Sequence, residues 1–118
     1  PPTAFASTLQ GLRRQTGERR IIAILEPRSN TKRMGIHAQS LPASHETADQ
    51  VLVYSPASLE WDAGSVFAPL GERATIYDST QAIVDRVATE IRSGDTILVM
   101  SNGGFEGIHQ RLLDALAG

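Results

Sequence analysis

Four short apolar runs constrain this 118-residue chain more than anything else in it: "IIAIL" at 21–25, "VLVYS" at 51–55, "ATIYD" at 74–78 and "TILVM" at 96–100. None alternates apolar with polar residues, as a strand wetted on one face would. Each is therefore expected to be a strand covered on both faces, which is the habit of parallel sheets. Helical patterns separate them. Phe5, Leu9 and Leu12 repeat at helical spacing after Pro2-Thr3 and fade near Thr16-Gly17. "SLPASHETAD" is a weaker helix with Pro42 in its first turn, and a short helix fits after Asp62. Asp78 can cap a helix whose stripe is Ile83, Val84, Val87, Ala88 and Ile91. A last helix places Phe105, Ile108, Leu112 and Leu116 on one face. Strand and helix alternate throughout, so the chain predicts one α/β domain, Rossmann-like and three-layered, with a mostly parallel sheet.

Composition narrows the function classes. A net charge of -2 gives no electrostatic reason to expect nucleic acid or an anionic membrane as partner. There is no cysteine, which excludes disulfides and thiolate metal sites. No run has the length of a membrane span and no signal-peptide pattern opens the chain, so a cytoplasmic protein is the default. His37, His45 and His109 lack metal-ligand spacing, and no metal site is expected. "RRQTGERR" reads as a solvated helix end, and Trp61 and Tyr54 read as packing residues near loops.

Ligands of a parallel α/β sheet collect beyond the carboxyl ends of its strands, and two informative segments emerge there. The first, "EPRSNTKRMGIH", follows the first strand. Arg28 offers paired donors suited to a carboxylate or phosphate, and Ser29, Asn30 and Thr31 add hydrogen-bonding groups. A solvated basic loop, or Arg28 pairing with Glu26, would explain the same residues. The second, "LVMSNGGFEGIH", ends the fourth strand in Ser101, Asn102, Gly103 and Gly104 before the last helix. Its glycines let backbone approach a ligand, and amides at a helix start favour an anion; a strand-to-helix turn needing positive φ is the plain alternative. Neither GxGxxG nor GxxxxGK[ST] occurs, so any ATP hydrolysis must borrow its phosphate loop from elsewhere.

Taken together, "ILEPRSNTKRMGIH" and "GDTILVMSNGGFEGIHQRLLDAL" resemble the C-terminal domain of the bacterial Mur ligases, over essentially the whole chain. In that family the domain begins after an Asp-x-Ala-His-His-Pro-Thr-Ala motif, and "PPTAF" resembles its end, so the chain is expected to be a fragment of a three-domain ligase. The resemblance implies a partner central ATPase domain holding the P-loop, with ATP and Mg2+ bound mainly there, and no catalytic residue here. It implies an ATP-dependent ligation through an acyl phosphate of the muramyl carboxylate of UDP-N-acetylmuramate. It is nearest to the branch that joins the murein tripeptide L-Ala-γ-D-Glu-meso-diaminopimelate. The L-alanine-adding branch carries a Gly-Ala-Gly-Asn type of turn and a Pro-His-Arg type of run instead; it remains an alternative, as does a stand-alone phosphate or nucleotide binder. Carried over, Arg28 would grip a substrate carboxylate, Ser29, Asn30 and Thr31 would shape its loop, and Ser101, Asn102, Gly103 and Gly104 would line the same cleft. The sequence departs from the family at Pro1 (usually His), at Lys32-Arg33 (usually Met-Lys) and at Glu106, where glycine is common.

Overall fold

The computed structural model describes residues 3–27, 47–101 and 103–117, and for 3–6 the backbone alone. Its elements run α1 (Thr3–Thr16), β1 (Ile21–Leu25), β2 (Gln50–Tyr54), α2 (Ala63–Phe67), a 3-10 segment (Ala68–Arg73), β3 (Ala74–Tyr77), α3 (Thr80–Glu90), β4 (Thr96–Met100), a 3-10 turn (Phe105–Gly107) and α4 (Ile108–Ala117). Among the described residues all three strand pairings are parallel, in the order β3-β2-β1-β4. The four apolar runs are thus the four strands, each within a residue of its expected bounds. Among the described residues no helix is long and apolar enough to cross a membrane.

The strands are apolar throughout because both faces are covered. Ile21, Ala23, Leu25, Val51 and Val53 face one way and pack with Leu9 of α1 and Ala63 and Phe67 of α2. Ile22, Ile24 and Leu52 face the other way, against Ile83, Val84 and Val87 of α3 and Ile108 and Leu112 of α4. The result is a helix–sheet–helix sandwich of Rossmann type. Each buried side chain of this size contributes about 1.5–3 kcal/mol.

Three local expectations are corrected. The cap of α3 is Ser79, whose hydroxyl accepts the Ala82 N–H at 3.1 Å, rather than Asp78; the serine has the extended backbone a cap needs. Ala88 is exposed, and Leu116 is 40% exposed, so the stripes of α3 and α4 are narrower than expected. The arginine-rich helix end is not merely solvated. Arg13 pairs with Asp49 at 2.7 Å and donates to the carbonyls of Gly17, Arg19 and Thr47. The expected helix around Pro42 lies outside the described residues apart from its last residues.

These arginines brace the amino edge of the sheet. Arg20, just before β1, pairs with Asp95, just before β4, at 2.6 Å, and also donates to the Glu90 carbonyl. Asp95 additionally accepts the Arg92 N–H at 2.9 Å. The Arg20 hydrogen bonds hold the Asp95 carboxyl below its ordinary value. Stabilisation from this group is therefore complete above the ordinary carboxylate pKa and disappears as pH falls through the lowered folded value. Asp95→Asn is expected to cost about 2 kcal/mol at pH 7. Urea titrations at falling pH should show the variant's deficit shrinking below about pH 4.

Candidate functional site

From β1 the chain steps outward to β2 and β3, then returns to place β4 on the opposite side of β1. The carboxyl ends of β1 and β4 are thus the point where the sheet order reverses, the place where open α/β sheets leave a crevice. Leu25 is in register with Met100, and the Glu26 N–H extends the ladder to the Met100 carbonyl at 3.0 Å. Glu26 and Ser101 therefore leave the sheet side by side. The Ser101 hydroxyl donates to the Glu26 carboxylate and accepts the Gly103 N–H at 3.0 Å. Pro27 is buried. Its fixed φ sets the direction in which the following run departs.

Of the residues the sequence singles out, Ser101, Gly103 and Gly104 lie at this reversal point. Arg28, Ser29, Asn30, Thr31 and Asn102 lie outside the described residues. What is visible of the two segments is their roots, and these are adjacent.

The turn after Gly104 holds the feature that sequence reasoning missed. Gly104 has φ -74°, an ordinary helical value, and a Cβ there would meet nothing within 4 Å. The left-handed residues are instead Phe105 (φ 49°), Glu106 (φ 52°) and Gly107 (φ 71°). The positive φ of the plain strand-to-helix alternative is thus not found at Gly104, and the glycine that needs its freedom is Gly107. Phe105 does not begin the last helix, which starts at Ile108. Left-handed backbone at two side-chain-bearing residues costs about 1–3 kcal/mol each, and it persists only where the surroundings enforce it.

The surroundings do so from three sides. Phe105 is buried and stacks on Tyr54 with ring centroids 5.8 Å apart. The Tyr54 hydroxyl donates to Glu106 Oε2 at 3.0 Å, and buried Thr80 donates to Glu106 Oε1 at 2.8 Å. Arg111 of α4 in turn donates to Thr80 Oγ1 at 2.6 Å and to Gln81 Oε1 at 2.7 Å. Glu106 thereby sits at the first residue of α3, where the helix dipole favours a negative charge. Hydrogen bonds from Thr80 and then Tyr54 hold its carboxyl below the ordinary value. Burial, with the Glu106 contact second, raises the Tyr54 phenol above its own. The departure at Glu106 is therefore a structural latch, tying the turn after β4 to the end of β2 and the start of α3. The sequence signal is Gly107 itself, a third glycine three residues beyond Gly104.

With this geometry in view, the comparisons with known proteins are decisive. Residues 1–103 match the model of the Mur ligase glutamate ligase domain. The chain belongs to the Mur ligase family. Among curated relatives it is 46% identical over 117 residues to the UDP-N-acetylmuramate–L-alanyl-γ-D-glutamyl-meso-2,6-diaminoheptandioate ligase of Escherichia coli (strain K12), covering 98% of this chain and 26% of that protein. Among solved structures it is similar to a murein peptide ligase from Psychrobacter arcticus 273-4, with TM-score 0.86, 44% identity, and coverage of 99% of this chain and 26% of that one. A domain from Haemophilus ducreyi 35000HP is also similar, at TM-score 0.80 and 37% identity, covering 98% of this chain and 84% of that one. The Mur ligase domain described here thus spans about a quarter of the curated relative's length.

The two glycines separate stability from binding. Gly107→Ala is expected to destabilise the domain by about 1 kcal/mol or more. Gly104→Ala should be neutral or stabilising by up to about 1 kcal/mol, since its φ already suits alanine. Chemical unfolding of both variants checks this.

Proposed function

We propose that this chain is the peptide-presenting domain of an ATP-dependent ligase that joins the tripeptide L-Ala-γ-D-Glu-meso-diaminopimelate to UDP-N-acetylmuramate in the cytoplasm. The observation that carries the reading is the adjacency of Glu26-Pro27 and Ser101 at the reversal point of the sheet. From it, two runs that resemble the peptide-adding branch depart together. The 46% identity to a ligase named for that tripeptide supports the substrate class.

ATP, when bound, supplies the phosphoryl group that activates the muramyl carboxylate as an acyl phosphate. This chain's residues do not fit it as its main holder. The sequence has no phosphate loop, and among the described residues no three metal-type side chains converge on a Mg2+ site. The domain's contribution is to bind and orient the incoming peptide and to close over the activated carboxylate so that water is excluded. Arg28 takes a peptide carboxylate, with Ser29, Asn30 and Thr31 shaping its loop. Ser101, Asn102, Gly103 and Gly104 take part in binding the same peptide, and the Glu106 latch holds the turn that follows them. On this reading the domain alone has no ligase activity.

The test is steady-state kinetics of the full-length ligase. Arg28→Met should raise KM for the tripeptide about tenfold or more, through loss of a charge-assisted hydrogen bond, with KM for ATP unchanged. An unchanged tripeptide KM, or L-alanine serving as well as the tripeptide, contradicts the reading.

A further inference from the structure

The sheet ends at β4 in an apolar edge that neither core fully covers. In the order β3-β2-β1-β4, no strand lies beyond β4 among the described residues, and both helices that flank this edge, α1 and α4, are described. The Thr96 N–H donates to the Arg20 carbonyl at 2.9 Å, and the Met100 carbonyl accepts the Glu26 N–H at 3.0 Å. Backbone groups alternate in direction along a strand. Thr96, Leu98 and Met100 therefore turn theirs toward β1, and Ile97 and Val99 turn two N–H groups and two carbonyls outward. Open edges usually carry a charge or a proline, and Thr96–Met100 has neither. Ile97, Leu98 and Val99 stay half-buried, whereas β1 is buried throughout. On one face of the sheet, a groove of about 300 Å3 opens between Leu98 and Ser7, Gly11, Leu12 and Gln15 of α1. On the other, Leu113 and Leu116 are 63% and 40% exposed, the only large apolar side chains so exposed among the described residues. Arg111 reaches Thr80 and Gln81 and so marks the flank of α4 that faces α3. At about 100° per residue, Leu113 and Leu116 lie on the opposite flank, the one toward the outer edge of β4.

We propose that this edge pairs antiparallel with the same edge of a second copy of the chain, about a two-fold axis at Leu98. The edge is self-complementary in that arrangement. Ile97 of each copy opposes Val99 of the other, and each such pair exchanges two N–H to carbonyl bonds, so every outward backbone group is used. Leu98 opposes its own counterpart as a close pair without hydrogen bonds, beside the groove under α1. Leu113 and Leu116 meet their counterparts across the other face. A lone extended segment would bond the same backbone groups but leave both leucines exposed, and a second copy covers them as well. A net charge of -2 sets up little repulsion between copies. The five-residue edge is about 17 Å long by strand rise. With a helix flank on each face it covers about 400–600 Å2 per copy, at the low end for a specific interface. The dimer is therefore concentration-dependent, with a Kd on the order of 10–100 μM. The inference is independent of the proposed function, since it uses neither a ligand nor the carboxyl ends of the strands.

Sedimentation velocity of the 118-residue chain from about 10 μM to about 1 mM tests the proposal. The expected result is a monomer at the low end and a dimer at the high end. Leu113→Glu should weaken association about tenfold or more, with a melting temperature within about 2 °C of wild type, because the side chain is exposed in the monomer. Val99→Pro should weaken it similarly, since the lost N–H points away from β1 and the ladder to β1 keeps its bonds. The chain has no cysteine, so single introduced cysteines report the pairing. Opposed residues without hydrogen bonds have Cα atoms about 4.5 Å apart, within disulfide reach. Leu98→Cys should therefore cross-link to its counterpart on mild oxidation. Thr96→Cys, about 14 Å from its own counterpart, should not. A chain that is monomeric at the highest concentration overturns the proposal. So does a dimer that survives Leu113→Glu, which meets through another face, or one cross-linked by Thr96→Cys but not by Leu98→Cys, which pairs in parallel. A full-length polypeptide that stays monomeric over the same range also overturns it, with the rest of that polypeptide occupying the edge.

Discussion

The pairing of β1 with β4 is the constraint on which the rest depends. Five consecutive residues, Ile21–Leu25, register against Thr96–Met100, and the Glu26 N–H adds one further rung. Without that pairing the two polar runs that follow these strands would leave the sheet at separate places. With it they leave as neighbours, and the 69 residues between Glu26 and Thr96 are free to build the other two strands and the helices between them. The pairing is secured at the opposite edge, where Arg20 bridges to Asp95 directly below the same two strands. One edge of the sheet is fastened by ion pairs, and the other is left to present polar groups.

Beyond the strand ends, order is imposed by a strained turn rather than by regular structure. Phe105, Glu106 and Gly107 run left-handed, and the cost at the two side-chain-bearing residues is offset by an aromatic stack and by a carboxylate with both oxygens bonded. The chain arriving from Gly104 consequently has a single way to enter α4. Fixing that entry also fixes the backbone just before it, where Ser101 and Gly103 sit. A binding wall that is held in advance loses less freedom when a ligand arrives.

The fold was legible because apolar runs of strand length between helical stripes admit few architectures. The four strands and the flanking helices among the described residues follow from that pattern. The site was legible only in part. Ser101, Gly103 and Gly104 stand where the strand-to-helix reading put them, but Gly-Gly drew attention from Gly107, because single-residue φ values depend on contacts that no local pattern records. Phe105 kept helical spacing with Ile108 and Leu112, yet it reaches that face from a left-handed turn. Glu26 was passed over as a mere partner for Arg28. Its place beside Ser101 needs the β1–β4 register, which joins residues 75 positions apart.

The central claim is that the crevice between the ends of β1 and β4 receives the peptide. A crystal structure of the full-length ligase with the tripeptide and a non-hydrolysable ATP analogue tests it most directly. The account predicts the peptide at the carboxyl ends of β1 and β4, against the run Ser101–Gly104, with a carboxylate on Arg28. A peptide seated away from these strand ends, with the crevice facing solvent, would contradict it.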